Sequence, residues 1–207
     1  MRANCQCQSR RQFLGQGLGL GLALLLPSLG DASQFTATEG SIWIDGRKAQ
    51  QKMSVNANSR IKTGANGKAQ FVIGDNAFLL AANSEVRFNP IRKRSTTISG
   101  LRLLTGGLLS VFGTGNKKLL TPTATIGIRG TGVYMMAEAD SSYICLCYGK
   151  VDLAANHSPA LNYPLSAEHH LGKLVGSDGS VVETGMQGHT DEELVMLEAL
   201  VGRKVPF

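Results

Sequence analysis

Little in this chain is charged. Asp, Glu, Lys and Arg make up 17% of its 207 residues, below the roughly 25% of an ordinary soluble domain. Apolar residues nevertheless reach 43%, enough for a core, and the combination excludes wholesale disorder. No apolar run approaches the roughly 20 residues a membrane-crossing helix needs, so an ordinary span is not expected. The 25 Gly residues follow no triplet period, which excludes a collagen-like rod. Cysteine is scarcer still, at four, and Cys5 and Cys7 sit at the extreme N-terminus. Cys145 and Cys147 are too few for a disulfide scaffold. A P-loop, a Gly-x-Ser-x-Gly elbow, a His-Glu-x-x-His pair and a dinucleotide fingerprint are all absent from the sequence. The expectation is therefore a non-catalytic protein of one domain, two at most.

Residues 1–32 read as an address, not as fold. Ser9-Arg10-Arg11-Gln12-Phe13-Leu14-Gly15 resembles the twin-arginine export signal, with Arg10 and Arg11 as the pair that names it. Gly15 stands where a lysine is usual. Leu14 to Leu26 is apolar but diluted by Gly15, Gly17, Gly19 and Gly21, and Pro27 ends it. Small residues follow, and cleavage is expected after Ala32. No Cys ends the apolar run, so no lipid anchor is expected. The resemblance implies export of a chain already folded, and hence a periplasmic location. Taking Arg2, Arg10 and Arg11 from the 21 bases and Asp31 from the 15 acids leaves a net charge of +4. No arginine stripe with interleaved aromatics survives, so a nucleic-acid partner is not expected. Arg92-Lys93-Arg94 reads as a solvated loop.

After residue 32 the pattern is of short strands between turns. Asp45-Gly46, Asn66-Gly67, Gly74-Asp75-Asn76 and Ser177-Asp178-Gly179-Ser180 carry turn chemistry between runs rich in Ile, Val, Leu and Phe. Ser99-Gly100 and Thr105-Gly106-Gly107 flank two expected strands, Leu101–Leu104 and Leu108–Phe112. Gly149 separates two more, Tyr143–Tyr148 and Lys150–Ala154. Turns every 8–14 residues, with no alternation of strands and long helices, predict an all-β fold. One helix is expected at the end. Thr190 and Glu193 form a capping box, Asp191 and Glu192 fill the first turn, and Leu194, Leu197 and Val201 share a face closed by Gly202. It should lie on the sheet as a lid.

Several segments together resemble the FecR domain. They are Asn58 to Phe71, Asp75 to Phe88, Thr121-Pro122-Thr123-Ala124-Thr125-Ile126-Gly127-Ile128-Arg129-Gly130-Thr131, and Tyr148-Gly149-Lys150-Val151. The resemblance, from Thr38 to about Leu153, implies stacked antiparallel β hairpins, roll- or solenoid-like, so a β domain is expected over residues 33–155; the turn and cap residues beyond it predict a C-terminal extension, 156–207, with a hairpin and the helix. The resemblance also implies a binding and signalling module that recognises a periplasmic or envelope protein. Full-length members of the family add an anti-sigma segment and a membrane span. Neither is evident here, so only the exported recognition module carries over. Among the motif residues Thr121, Pro122, Arg129, Gly130 and Thr131, the arginine fork is expected to clamp several backbone carbonyls.

A second function class rests on Tyr143-Ile144-Cys145-Leu146-Cys147-Tyr148. In a strand both thiols point to one face, with Cα atoms roughly 6.6–6.8 Å apart, at the long edge of disulfide geometry. Two thiols so placed suit one soft metal, Zn²⁺ or a copper ion. His170 and His189 are the expected further ligands. His169 is an alternative, because neighbouring residues of a strand face opposite ways, and His157 is a weaker one. Asp191 or Glu192 could orient an imidazole. The competing reading is two small core residues with unrelated surface histidines. The distance between histidines and thiols decides between them.

Overall fold

The computed structural model describes residues 34–49, 54–92, 97–159 and 162–207. The expected export signal, with Arg10 and Arg11, lies outside the described residues, as do Lys93 and Arg94 of the basic cluster. The elements begin with β1 (Gln34–Glu39), β2 (Ile42–Ile44), β3 (Arg47–Lys48), β4 (Arg60–Thr63), β5 (Lys68–Ile73), β6 (Asn76–Leu80) and β7 (Glu85–Pro90). Then come β8 (Ile98–Val111), β9 (Asn116–Leu120), β10 (Ala124–Arg129), β11 (Gly132–Ala137) and β12 (Ser141–Ala155). The C-terminal part adds β13 (Asn162–Ala167), β14 (Leu171–Gly176), β15 (Val181–Thr184) and α1 (Asp191–Leu200). The fold is all-β with one terminal helix. Among the described residues no helix is long and apolar enough to cross a membrane.

Hydrogen bonding sorts the strands into two layers. The first runs β1-β5-β6-β8-β11-β12-β14-β15. The second runs β3-β2-β4-β7-β8-β9-β10-β12-β13. All pairs are antiparallel except β8 with β9, which is parallel. β8 and β12 belong to both layers. β8 pairs with β7 up to Thr105, then with β11 from Gly106. β12 pairs with β11 up to Tyr148, then with β13 from Gly149.

Each change of layer falls on a glycine at positive φ, +78° at Gly106 and +97° at Gly149. A side chain is strained in that region, and space is short as well. A Cβ on Gly106 would lie 2.1 Å from Ser84 Oγ, and one on Gly149 would lie 2.7 Å from Thr131 Cγ2. The expected breaks at these glycines are therefore bends in continuous strands of 14 and 15 residues. Asn66-Gly67 also departs from expectation. It does not close a hairpin, because β4 pairs with β2 and β7 while β5 pairs with β1 and β6. Instead, the turn carries the chain from one layer to the other. Asp45-Gly46 and Ser177–Ser180 do close hairpins.

The inner faces of both layers share one core. Phe71, Phe78, Phe88 and Phe112 meet there, with ring centroids 4.9–5.8 Å apart. The outer face of the first layer is apolar too, with Val72, Ala77, Leu79, Leu109, Val111, Tyr134 and Tyr143. It is covered by Leu194 and Leu197 of α1. That second burial is why these strands read as unbroken apolar runs and not as alternation. The capping box of Thr190 and Glu193 is present. The helix ends at Val201, after which Gly202 N–H donates to Ala199 O and Arg203 N–H to Glu198 O, a Schellman stop.

Candidate functional site

The period-two alternation of β12 sends Ile144 and Leu146 into the shared core and Tyr143, Cys145 and Cys147 to the outer face under α1. Both cysteines are free, and both are fully buried. Two histidines meet them. His170 occupies the turn before β14 at φ +43°, where its N–H donates to Cys147 O at 3.0 Å. This turn places Nδ1 3.4 Å from Cys145 Sγ. His189 ends the segment that leads into α1, and its Nε2 lies 3.3 Å from Cys147 Sγ and 3.3 Å from His170 Nδ1. One donor atom from each of Cys145, Cys147, His170 and His189 lies within 4.8 Å of every other. The reading of the cysteines as inert core residues remote from histidine is therefore overturned.

Each imidazole is fixed from behind. His170 Nε2 donates to Asp191 Oδ1 at 2.7 Å, and His189 Nδ1 donates to Gln187 O at 3.0 Å. Tyr134 stacks on His189 with centroids 4.7 Å apart and planes 17° from parallel. Tyr143 Oη donates to Gly185 O and accepts from Gln187 N–H, which holds the segment carrying His189. His169 does not join. It sits in the exposed turn and bonds Asp191 with Nε2 at 3.1 Å. Only one of the two neighbours joins, as expected, but for a different reason: they lie in a turn, not a strand. His157 and Glu192 are exposed and outside the cluster.

The cluster polarises its own thiols. The hydrogen bond from Cys147 outweighs burial and, with help from His189 and His170, holds Cys145 down to about 4. Burial first, then the neighbouring Cys145, pushes Cys147 far up. Burial opposes the charged form of His170, but its hydrogen bonds to Asp191 and Cys145 outweigh burial and raise its pKa. Asp191 is held below the usual carboxylate range, chiefly by its bond with His170. A thiolate, a thiol and two imidazoles in one dry pocket are a donor set for a soft cation.

The motif residues lie elsewhere, at the corners around β10. Thr121 is buried, and its Oγ1 accepts from Ala124 N–H at 2.9 Å. Pro122 is exposed, and its carbonyl accepts from Asn156 Nδ2 at 3.0 Å. Gly130 turns the chain at φ +70°, and Thr131 is fully buried with its carbonyl accepting from Phe112 N–H. Arg129 is not the expected clamp: its side chain is exposed and makes no hydrogen bond or ion pair among the described residues. The tie between the layers is Thr123, whose Oγ1 bonds Ser142 Oγ at 2.8 Å and donates to Val175 O at 2.9 Å. Sequence patterns assign Thr123 no role within its motif segment and do not mark Gln187 or Tyr134, because their roles depend on where turns place distant segments.

Residues 59–152 match the family model described as FecR protein. Two crystal structures of a candidate anti-sigma factor from Parabacteroides distasonis, at 1.65 and 2.50 Å resolution, superpose with TM-scores of 0.51 and 0.50. Each is 15% identical, and the match covers 67% of this chain and 64% of that one. The likeness is one of fold. No curated protein matches the chain in sequence.

Proposed function

We propose that this chain, whose residues 59–152 match the FecR protein family, is an exported, non-catalytic signalling module that recognises a protein partner in the periplasm. The match over residues 59–152 carries this reading. The twin-arginine pattern at Arg10 and Arg11 supports the location. Arg129 supports the partner. It stands exposed in the lining of a groove of about 610 Å³ shared with Lys150, Asp152 and Pro164. An uncommitted guanidinium fork suits a carboxylate on an incoming protein, because two parallel charge-assisted bonds fix its orientation.

A crosslinking experiment in the native host tests this. A photo-crosslinking residue at Ser166, on the groove wall, is expected to capture one envelope protein. Arg129→Glu should reduce that product at least tenfold with the fold unchanged. Arg10→Lys/Arg11→Lys should leave the chain in the cytoplasm and abolish the product. A crosslink indifferent to Arg129, or a chain exported equally well without the arginine pair, would overturn the reading.

A further inference from the structure

The Cys and His cluster joins two residues of the matched stretch, Cys145 and Cys147, to two beyond it, His170 and His189, and its atoms are spaced as ligands are. Zn–S bonds of about 2.3 Å and Zn–N bonds of about 2.05 Å at tetrahedral angles give ligand–ligand edges of roughly 3.8 Å for S···S, 3.5 Å for S···N and 3.3 Å for N···N. The observed S···N contacts are 3.4 and 3.3 Å, and the N···N contact is 3.3 Å.

Proton positions point the same way. A backbone carbonyl and a carboxylate only accept hydrogen bonds. His189 therefore carries its hydrogen on Nδ1, facing Gln187 O, and His170 carries its hydrogen on Nε2, facing Asp191. When both rings are neutral, Nε2 of His189 and Nδ1 of His170 are bare lone pairs. They are aimed at each other across 3.3 Å. Two lone pairs so placed repel unless a cation lies between them. Protons answer these contacts one by one, between His170 Nδ1 and Cys145 Sγ at 3.4 Å and between His189 Nε2 and Cys147 Sγ at 3.3 Å, whereas one metal ion answers all four donors at once.

The surroundings are those of a built site. Each imidazole has its outer nitrogen held by a carboxylate or a carbonyl, the arrangement that orients metal-bound histidines. Both cysteines are at 0% exposure, His189 is at 7% and the His170 side chain is at 7%. No donor stands open to solvent, so the cluster is closed, as structural metal sites are and catalytic ones are not.

We propose that Cys145, Cys147, His170 and His189 bind one Zn²⁺ ion in a closed tetrahedral site that clasps the C-terminal segment onto the outer face of the first layer. Two ligands come from β12, one from the turn before β14 and one from the entry to α1. The ion replaces the proton of the Cys147 thiol and any proton held between the imidazoles and the sulfurs, and these pass to solvent. Asp191, the first residue of α1, is a positioning residue that acts through His170.

Metal analysis of the full chain, purified without chelators and dialysed against micromolar zinc, tests this. About one zinc per chain is expected. Cobalt substitution should give the intense visible bands of a tetrahedral thiolate site. Cys145→Ser/Cys147→Ser should hold less than a tenth of the zinc, and His189→Gln serves where the double variant does not fold. Asp191→Asn should still bind, with affinity lowered roughly 10–100-fold in chelator competition. A folded wild type that takes up no zinc would overturn the proposal, as would equal zinc in the cysteine variant. Saturation by copper(I) alone would overturn the assignment to zinc. Partner crosslinking is read separately, so failure here leaves the signalling reading intact.

Discussion

Stripping the zinc from the full chain with a strong chelator is expected to lower its thermal midpoint by roughly 8–16 °C. Binding to the native state alone at about 1,000 times Kd adds about 4.1 kcal/mol, and each kcal/mol moves the midpoint of a chain this size by about 2–4 °C. The loss should also be local at first. α1 rests on Leu194 and Leu197, on the bond of Asp191 to His170, and on the segment held by His189. Removing the ion frees His189 and loosens Asp191 together, so amide exchange should accelerate across α1 before it does so in β5, β6 or β8. Calorimetry on matched zinc-loaded and zinc-free samples reads the first effect, and hydrogen exchange reads the second. A midpoint that does not move while analysis shows the zinc gone would rule out the clasp.

Phe78→Ala should cost about 3–5 kcal/mol, the usual range for removing a buried phenyl ring and leaving a cavity. Phe78 is fully buried in β6 and contacts Phe71, Phe88 and Phe112. These partners come from both layers and from the end of β8, so no single strand can move in to fill the gap. Urea unfolding should show the loss as a lower midpoint at an unchanged slope. Zinc stoichiometry should be unaffected, because the ring points to the shared core and the thiols point the other way. A loss under 1 kcal/mol would mean that the two layers are not held by this cluster.

Turn chemistry was the most legible part of the fold. Asp45-Gly46, Ser177–Ser180 and the Thr190 capping box act where their residues predict, because each is decided by a few neighbouring dihedrals and one or two local bonds. Gly106 and Gly149 misled for a physical reason. Glycine inside an apolar run signals either a stop or a bend, and the choice depends on a partner strand far away in sequence. β9 was missed because Asn116-Lys117-Lys118 lacks an apolar pattern. β13 was missed because it contains Pro164, which is tolerated there because the strand lies at the edge of the second layer.

The shared face of Cys145 and Cys147 followed from strand periodicity alone. That His170 and His189 would reach it depended on a turn at positive φ and on a chain reversal after β15, and neither is written in the spacing. The role assigned to Arg129 failed because a five-donor fork is equally suited to binding carbonyls within the fold and to binding a partner outside it. Only its exposure separates the two.

The passage of β8 and β12 through both layers bears on how the molecule would carry tension. A sandwich of two separate sheets can slide or open along its seam, one side-chain contact at a time. Here two strands are bolted through that seam. A pull along either of them loads rows of backbone hydrogen bonds in shear on both sides at once. A force applied at the β10–β13 groove is thereby delivered along β12 to its first half, which carries Cys145 and Cys147. The hairpins at the margins, β2–β3 and β14–β15, peel open bond by bond and are the parts that yield first.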